Sequence, residues 1–186
     1  TSGALNAYVV KARKSGVRAA PAILMDPSEM LGPSGVTLGN GVFEPGETQI
    51  IRTAWVNDTS ADVESIFGSI PLFTGPTGAE YTINDDEALY DTIPAGQTKT
   101  CSQMGDCYSV TVSAPAVRPV QHWDALLQES FSLSIPHTWV LHLGESFPAV
   151  SIGHQFYAFI ETLFHKGVTT GCAGGGYCPS NPVTRA

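Results

Sequence analysis

Apolar and polar positions alternate with period two along most of the chain up to about residue 145, and β-branched and aromatic side chains are frequent at the apolar positions. That is the pattern of half-buried strands. It predicts strands over 5–13 and 17–26, joined by the turn Lys14-Ser15-Gly16, and then, after a Gly- and Pro-rich loop, over 47–58, 61–70, 79–85, 88–93, 107–114, 122–135 and 137–145. Turn residues separate them: Asn57-Asp58, Thr74-Gly75-Pro76, Asn84-Asp85-Asp86, Pro94-Ala95-Gly96 and Pro136. Short strands at such spacing predict a mainly β fold, an immunoglobulin-like antiparallel sandwich. The alternation points Ile51, Trp55, Tyr81, Ile83, Tyr108, Val110, Val112, Trp139 and Leu141 inward.

At residue 153 the period changes. Phe156, Phe159, Ile160, Leu163 and Phe164 recur at helical spacing, and Gly167 follows as a stop. A helix over 154–166 would be about 20 Å long. Its face of Phe156, Phe159, Ile160 and Leu163 is predicted to pack on the sandwich or on a neighbouring chain, since a large apolar side chain left in water forgoes about 1.5–3 kcal/mol. Pro182-Val183-Thr184-Arg185-Ala186 reads as the start of a second helix, with Thr184 as its N-cap.

Composition narrows the class. Charged residues are 14% of the 186, against about 25% in ordinary chains, and Ser, Thr, Gly, Asn and Gln supply the polarity, as is common in extracellular β proteins. The formal net charge of −8 argues against nucleic acid or an anionic membrane as partner. The basic group Lys11, Arg13, Lys14 and Arg18 lacks interleaved aromatics and reads as a solvated face. No apolar run approaches the roughly 20 residues that a membrane-crossing helix needs, and no signal peptide appears. The chain thus reads as a mature or excised piece of a secreted protein.

The four cysteines fall into two pairs of equal spacing, Cys101 with Cys107 and Cys172 with Cys178, each enclosing a Gly-containing loop. Four cysteines allow three connectivities; short, turn-rich loops favour local pairing. A four-thiolate zinc site is the alternative, although zinc ribbons space their ligands by two to four residues. Disulfides imply an oxidising compartment.

FPAV at 147–150, FYAFIETLFHKGVTTG at 156–171, then Tyr177, Pro179 and PVTRA at 182–186 resemble the first three-quarters of an S-layer homology motif. The chain departs from that pattern by a disulfide-type loop between Gly171 and Pro179 and by lacking the second helix. GNGVFEPGE at 39–47 and the strands after it more loosely resemble the sandwich repeats that precede such motifs in large secreted bacterial proteins. The resemblance implies a cell-surface protein and cell-wall polysaccharide as a partner, with Thr184 and Arg185 at the matching contact positions. The organisation expected is an N-terminal strand arm and loop (1–35), an immunoglobulin-like sandwich (36–146) and a partial S-layer-homology-like helix and disulfide loop (147–186).

Catalytic signatures are absent from the sequence: the histidines at 122, 137, 142, 154 and 165 show no paired metal spacing, and there is no nucleophile elbow, phosphate loop or dinucleotide fingerprint. His122, Asp124 and Ser130 supply a triad's residue types without its geometry. Asp85, Asp86 and Glu87 read as a solvated hairpin tip. Asn40, Glu44 and Glu47 are calcium-ligand types, sparser than a calcium loop requires, and read rather as a turn set by Pro45-Gly46. Asn57-Asp58-Thr59 is a formal glycosylation acceptor. No cofactor, metal or enzymatic activity is expected. The sequence is read as a non-catalytic extracellular structural module of a bacterial cell-surface or fibre-forming assembly, whose partners are copies of itself or other surface proteins. Strand-like residues at one end and an unfinished helix at the other suggest head-to-tail polymerisation by strand exchange. The alternative is a carbohydrate-binding accessory module of a secreted hydrolase, which would display aromatics such as Trp55, Trp123 and Trp139.

Overall fold

The computed structural model describes residues 16–20, 40–131, 136–172 and 174–178. Within them the chain is mainly β, with several antiparallel sheets and one C-terminal helix. The strands are β1 (Val17–Ala19), β2 (Thr48–Ile51), β3 (Ala54–Asn57), β4 (Val63–Thr74), β5 (Tyr81–Asp85), β6 (Glu87–Ile93), β7 (Thr98–Thr100), β8 (Tyr108–Val112), β9 (Asp124–Phe131) and β10 (His137–His142); the helix α1 is Tyr157–His165. They form a four-stranded sheet in the order β10-β9-β4-β6 and two three-stranded sheets, β2-β8-β5 and β1-β3-β7.

Both three-stranded sheets pack against the inner face of the four-stranded one. Trp55 of β3 stacks on Phe131 of β9 with ring centroids 4.0 Å apart, and Phe73 of β4 meets Tyr81 of β5 edge-on at 5.5 Å. The core follows strand parity: Ile51, Trp55, Tyr108, Val110, Val112, Trp139 and Leu141 are buried, while Tyr81 and Ile83 are half-buried against them.

The structure corrects several sequence expectations. The segment 47–58 is two strands in different sheets, because Thr53 between them turns into the core, where its hydroxyl donates to Glu129 at 3.2 Å. β7 was not expected, since Thr98-Lys99-Thr100 has no apolar alternation. β4 runs on through Pro71, which lies where the pairing with β9 shifts register and pairing with β6 has ended. Between β4 and β6 a second shift accompanies Ser65 and Asp91, both left-handed at φ 56° and 55°. Of the N-terminal arm, Val17–Ala19 pairs with β3 of the same chain, and Val17 joins the main core; the strand expected over 5–13 lies outside the described residues, as does most of 17–26.

The helix forms where it was expected but turns a different face inward. Tyr157, Ile160, Glu161 and Phe164 are buried, whereas Phe156, Phe159 and Leu163 stay exposed. Its inner face joins Val42, Phe147 and Val150 in a second, smaller core. Polar atoms set the phase: the Tyr157 hydroxyl accepts from Glu145 N at 2.8 Å, and the Glu161 carboxylate accepts from Ser146 N at 2.9 Å and from its hydroxyl at 2.7 Å. Gly144 makes this approach feasible, because a Cβ there would sit 2.5 Å from the Tyr157 hydroxyl. Arg118 clamps the same loop from beneath, donating to Leu143 O and Gly144 O at 2.8 and 2.5 Å.

Candidate functional site

Three of the five histidines, scattered in sequence, meet where α1 ends over the outer face of the β9–β10 edge. Asp124 opens β9 and is the cross-strand partner of His142, the last residue of β10. His122 precedes β9, and His165 closes α1. His142 Nδ1 lies 3.1 Å and His165 Nδ1 3.0 Å from Asp124 Oδ1, while His122 Nε2 lies 3.2 Å from Oδ2. The other nitrogen of His142, Nε2, lies 3.0 Å from Glu161 Oε2. Burial pushes the His165 imidazole below its ordinary value, against the opposing pull of Asp124. A cavity of about 140 Å³ opens beside His142, Glu161 and His165. The other two histidines stand apart: His137 packs on Trp139 at 4.4 Å and His154 on Phe156 at 5.9 Å.

The sequence carried one signal for this cluster. Folding 122–145 into a hairpin about Pro136 sets Asp124 opposite His142; the helix then adds His165, which no spacing rule foretells. The triad types do not assemble, since Ser130 lies six residues up β9 from Asp124, about 20 Å away at strand rise.

A buried carboxylate occupies the main core. Glu129 Oε1 accepts from Tyr108 and Tyr90 hydroxyls at 2.6 and 2.7 Å and from Trp55 Nε1 at 3.0 Å, and Oε2 accepts from Trp139 Nε1 at 2.6 Å. These donors are neutral side chains, and their hydrogen bonds offset the hydration the carboxylate loses on burial. Burial and the adjacent carboxylate push both tyrosine hydroxyls far above their ordinary value. Gly68 is required here, because a Cβ would lie 2.1 Å from the Tyr108 hydroxyl.

Asn40, Glu44 and Glu47 do come together, in the loop beneath α1. Asn40 Nδ2 donates to Glu44 Oε1 at 2.7 Å, Asn40 Oδ1 accepts from Val42 N, and Glu47 Oε2 accepts from Glu44 N at 2.8 Å. Only Glu44 Oε2 and Glu47 Oε1 are left without a partner in the trio, against the six to eight oxygens that calcium takes. Burial, with Glu47 beside it, raises Glu44 to about 8, offset in part by hydrogen bonds from Asn40 and Tyr157. Burial raises Glu47 as well.

Cys101 is bonded to Cys107 and Cys172 to Cys178, with Cα separations of 5.2 and 6.0 Å. The second loop is docked, since Gln121 Nε2 donates to Gly175 O at 2.9 Å and Tyr177 packs on Phe147 at 5.3 Å. Thr184 and Arg185 lie outside the described residues. Asn57 is no free acceptor for a glycan: it is buried, and its amide donates to Ala61 O and Ile93 O at 2.8 and 2.9 Å. Asp85, Asp86 and Glu87 are exposed at the junction where β5 passes into β6. Trp55, Trp123 and Trp139 are all buried, so they form no exposed platform. A cavity of about 520 Å³ is walled mainly by prolines and apolar side chains, with Arg118 and Glu145 at its polar side. Comparison of the chain with protein-family models, with curated proteins and with solved structures finds no match.

Proposed function

We propose that this chain is a non-catalytic extracellular structural module, an immunoglobulin-like sandwich carrying an S-layer-homology-like helical appendage, that assembles with copies of itself. The observation that carries this reading is the apolar surface left on the outer side of α1, where Phe159 is 68% and Phe156 53% exposed and Leu163 lies on the same side. Leu126 and Val140, cross-strand partners on the outer face of the four-stranded sheet, are also exposed. Large apolar side chains grouped in this way mark contact surfaces rather than ordinary solvated faces. The two disulfides fit an oxidising, extracellular setting. The buried tryptophans weigh against the carbohydrate-binding alternative.

Sedimentation velocity and electron microscopy of the whole chain test the reading. The native chain is expected to form oligomers or filaments, and Phe159→Glu with Leu163→Glu to remain monomeric while keeping its circular dichroism spectrum. A native chain that stays monomeric at high concentration overturns it.

Strand exchange is a second reading of the joint. β1 is a three-residue edge strand that pairs with β3, and the same pairing made with β3 of a neighbouring copy would join two chains. Filaments of unchanged spacing after deletion of residues 1–26 would exclude it.

A further inference from the structure

The polar cluster beneath the end of α1 holds more acceptors than its protons satisfy. His142 is bracketed by two carboxylates, Asp124 on Nδ1 and Glu161 on Nε2. A neutral imidazole carries one N–H, so one of these contacts sets a bare nitrogen lone pair against a carboxylate oxygen. Glu161 already accepts from Ser146 N and its hydroxyl and is itself buried, which fixes it in place. A proton on Nε2, donated to Glu161, leaves Nδ1 bare and aimed at Asp124 together with the nitrogens of His122 and His165. The ring nitrogens of three histidines and the Asp124 carboxylate thus converge on one point.

We propose that His122, Asp124, His142 and His165 bind one divalent transition metal ion of the zinc class, which fastens α1 to the β9–β10 edge. Their ligand atoms already lie within 4.8 Å of one another, whereas four tetrahedral ligands at zinc distance are about 3.3 Å apart. Binding would draw the farthest ligand atoms together by about 1.5 Å. Three imidazoles with one carboxylate select zinc-class ions over calcium or magnesium, which take oxygen ligands. Four protein ligands complete a tetrahedron and leave no open position, as in structural rather than catalytic zinc sites. Glu161 is then the outer carboxylate that holds His142 in its ligating tautomer. The half-exposed His122 leaves the site open to ions from solvent.

The test is calorimetric titration of the chelator-stripped whole chain with Zn²⁺ alone, with Ca²⁺ as control, followed by melting curves with and without Zn²⁺. One Zn²⁺ per chain, a raised melting temperature and no saturable Ca²⁺ binding are expected. His122→Ala, a change at an exposed side chain that leaves the fold intact, and His165→Ala should each weaken Zn²⁺ binding at least tenfold, and Glu161→Gln by roughly 10–100-fold. Co²⁺ in place of Zn²⁺ should give the visible absorption of a tetrahedral site in the native chain and lose it in His122→Ala. Absence of saturable Zn²⁺ binding, or binding unchanged in His122→Ala and His165→Ala, overturns the proposal.

Discussion

Glu129 gathers donors from residues 10 to 76 positions away in sequence. Parity places Trp55, Tyr108 and Trp139 inward, and the same alternation along β9 sets Glu129 between Leu127 and Phe131 on the buried face. A carboxylate at an inward strand position was therefore legible; that the ring N–H and O–H groups converge on it was not, because convergence depends on how the sheets face one another. Asn57 teaches the same lesson in reverse, since its turn context reads as exposed while its amide is spent on backbone carbonyls. Tyr108→Phe, which removes one buried hydrogen bond to the Glu129 carboxyl group, should cost about 2 kcal/mol of unfolding free energy. Glu129→Gln should cost more, about 3 kcal/mol or above, because it turns an amide N–H₂ towards groups that are themselves donors. Urea denaturation of the two variants, read by tryptophan fluorescence, checks the order as well as the size.

The helix shows what periodicity resolves and what it leaves open. Residues 156–164 offer two apolar faces one residue out of phase, and hydrophobicity alone prefers the one bearing Phe159 and Leu163. Tyr157 and Glu161 decide for the other, because their polar ends reach Glu145 and Ser146 while their stems fill the small core. The loop beneath couples this docking to pH. Glu44 has a folded-state pKa raised above its unfolded value, so the stability it contributes is fully present below about pH 4.5 and is lost as pH rises through about 8. The native chain should accordingly lose stability across that interval, by at most about 1.4 kcal/mol per pH unit, as the proton leaves Glu44. Glu44→Gln, which keeps the acceptor for Asn40 and cannot ionise, should flatten the profile and be the more stable form at pH 8. Melting temperatures of both proteins from pH 5 to 9 measure this.

For the molecule as a whole, the mainly β class was legible because turn residues punctuate period-two runs. The grouping into three sheets was not: it rests on breaks at Thr53 and on the polar strand β7, neither of which alters hydrophobic patterning. Of the His122–Asp124–His142–His165 cluster only the Asp124–His142 pairing was legible, because His165 joins it only when the helix docks on the hairpin. The disulfides carry a mechanical consequence. Each bridge spans a sequence separation of only 6 residues, so under tension each withholds roughly 15 Å from a chain of 186 residues whose extended contour is about 600 Å. A chain pulled from its two ends would thus extend to nearly its full length with both bridges intact. In single-molecule pulling, a reductant should lengthen the fully stretched chain by only about 30 Å.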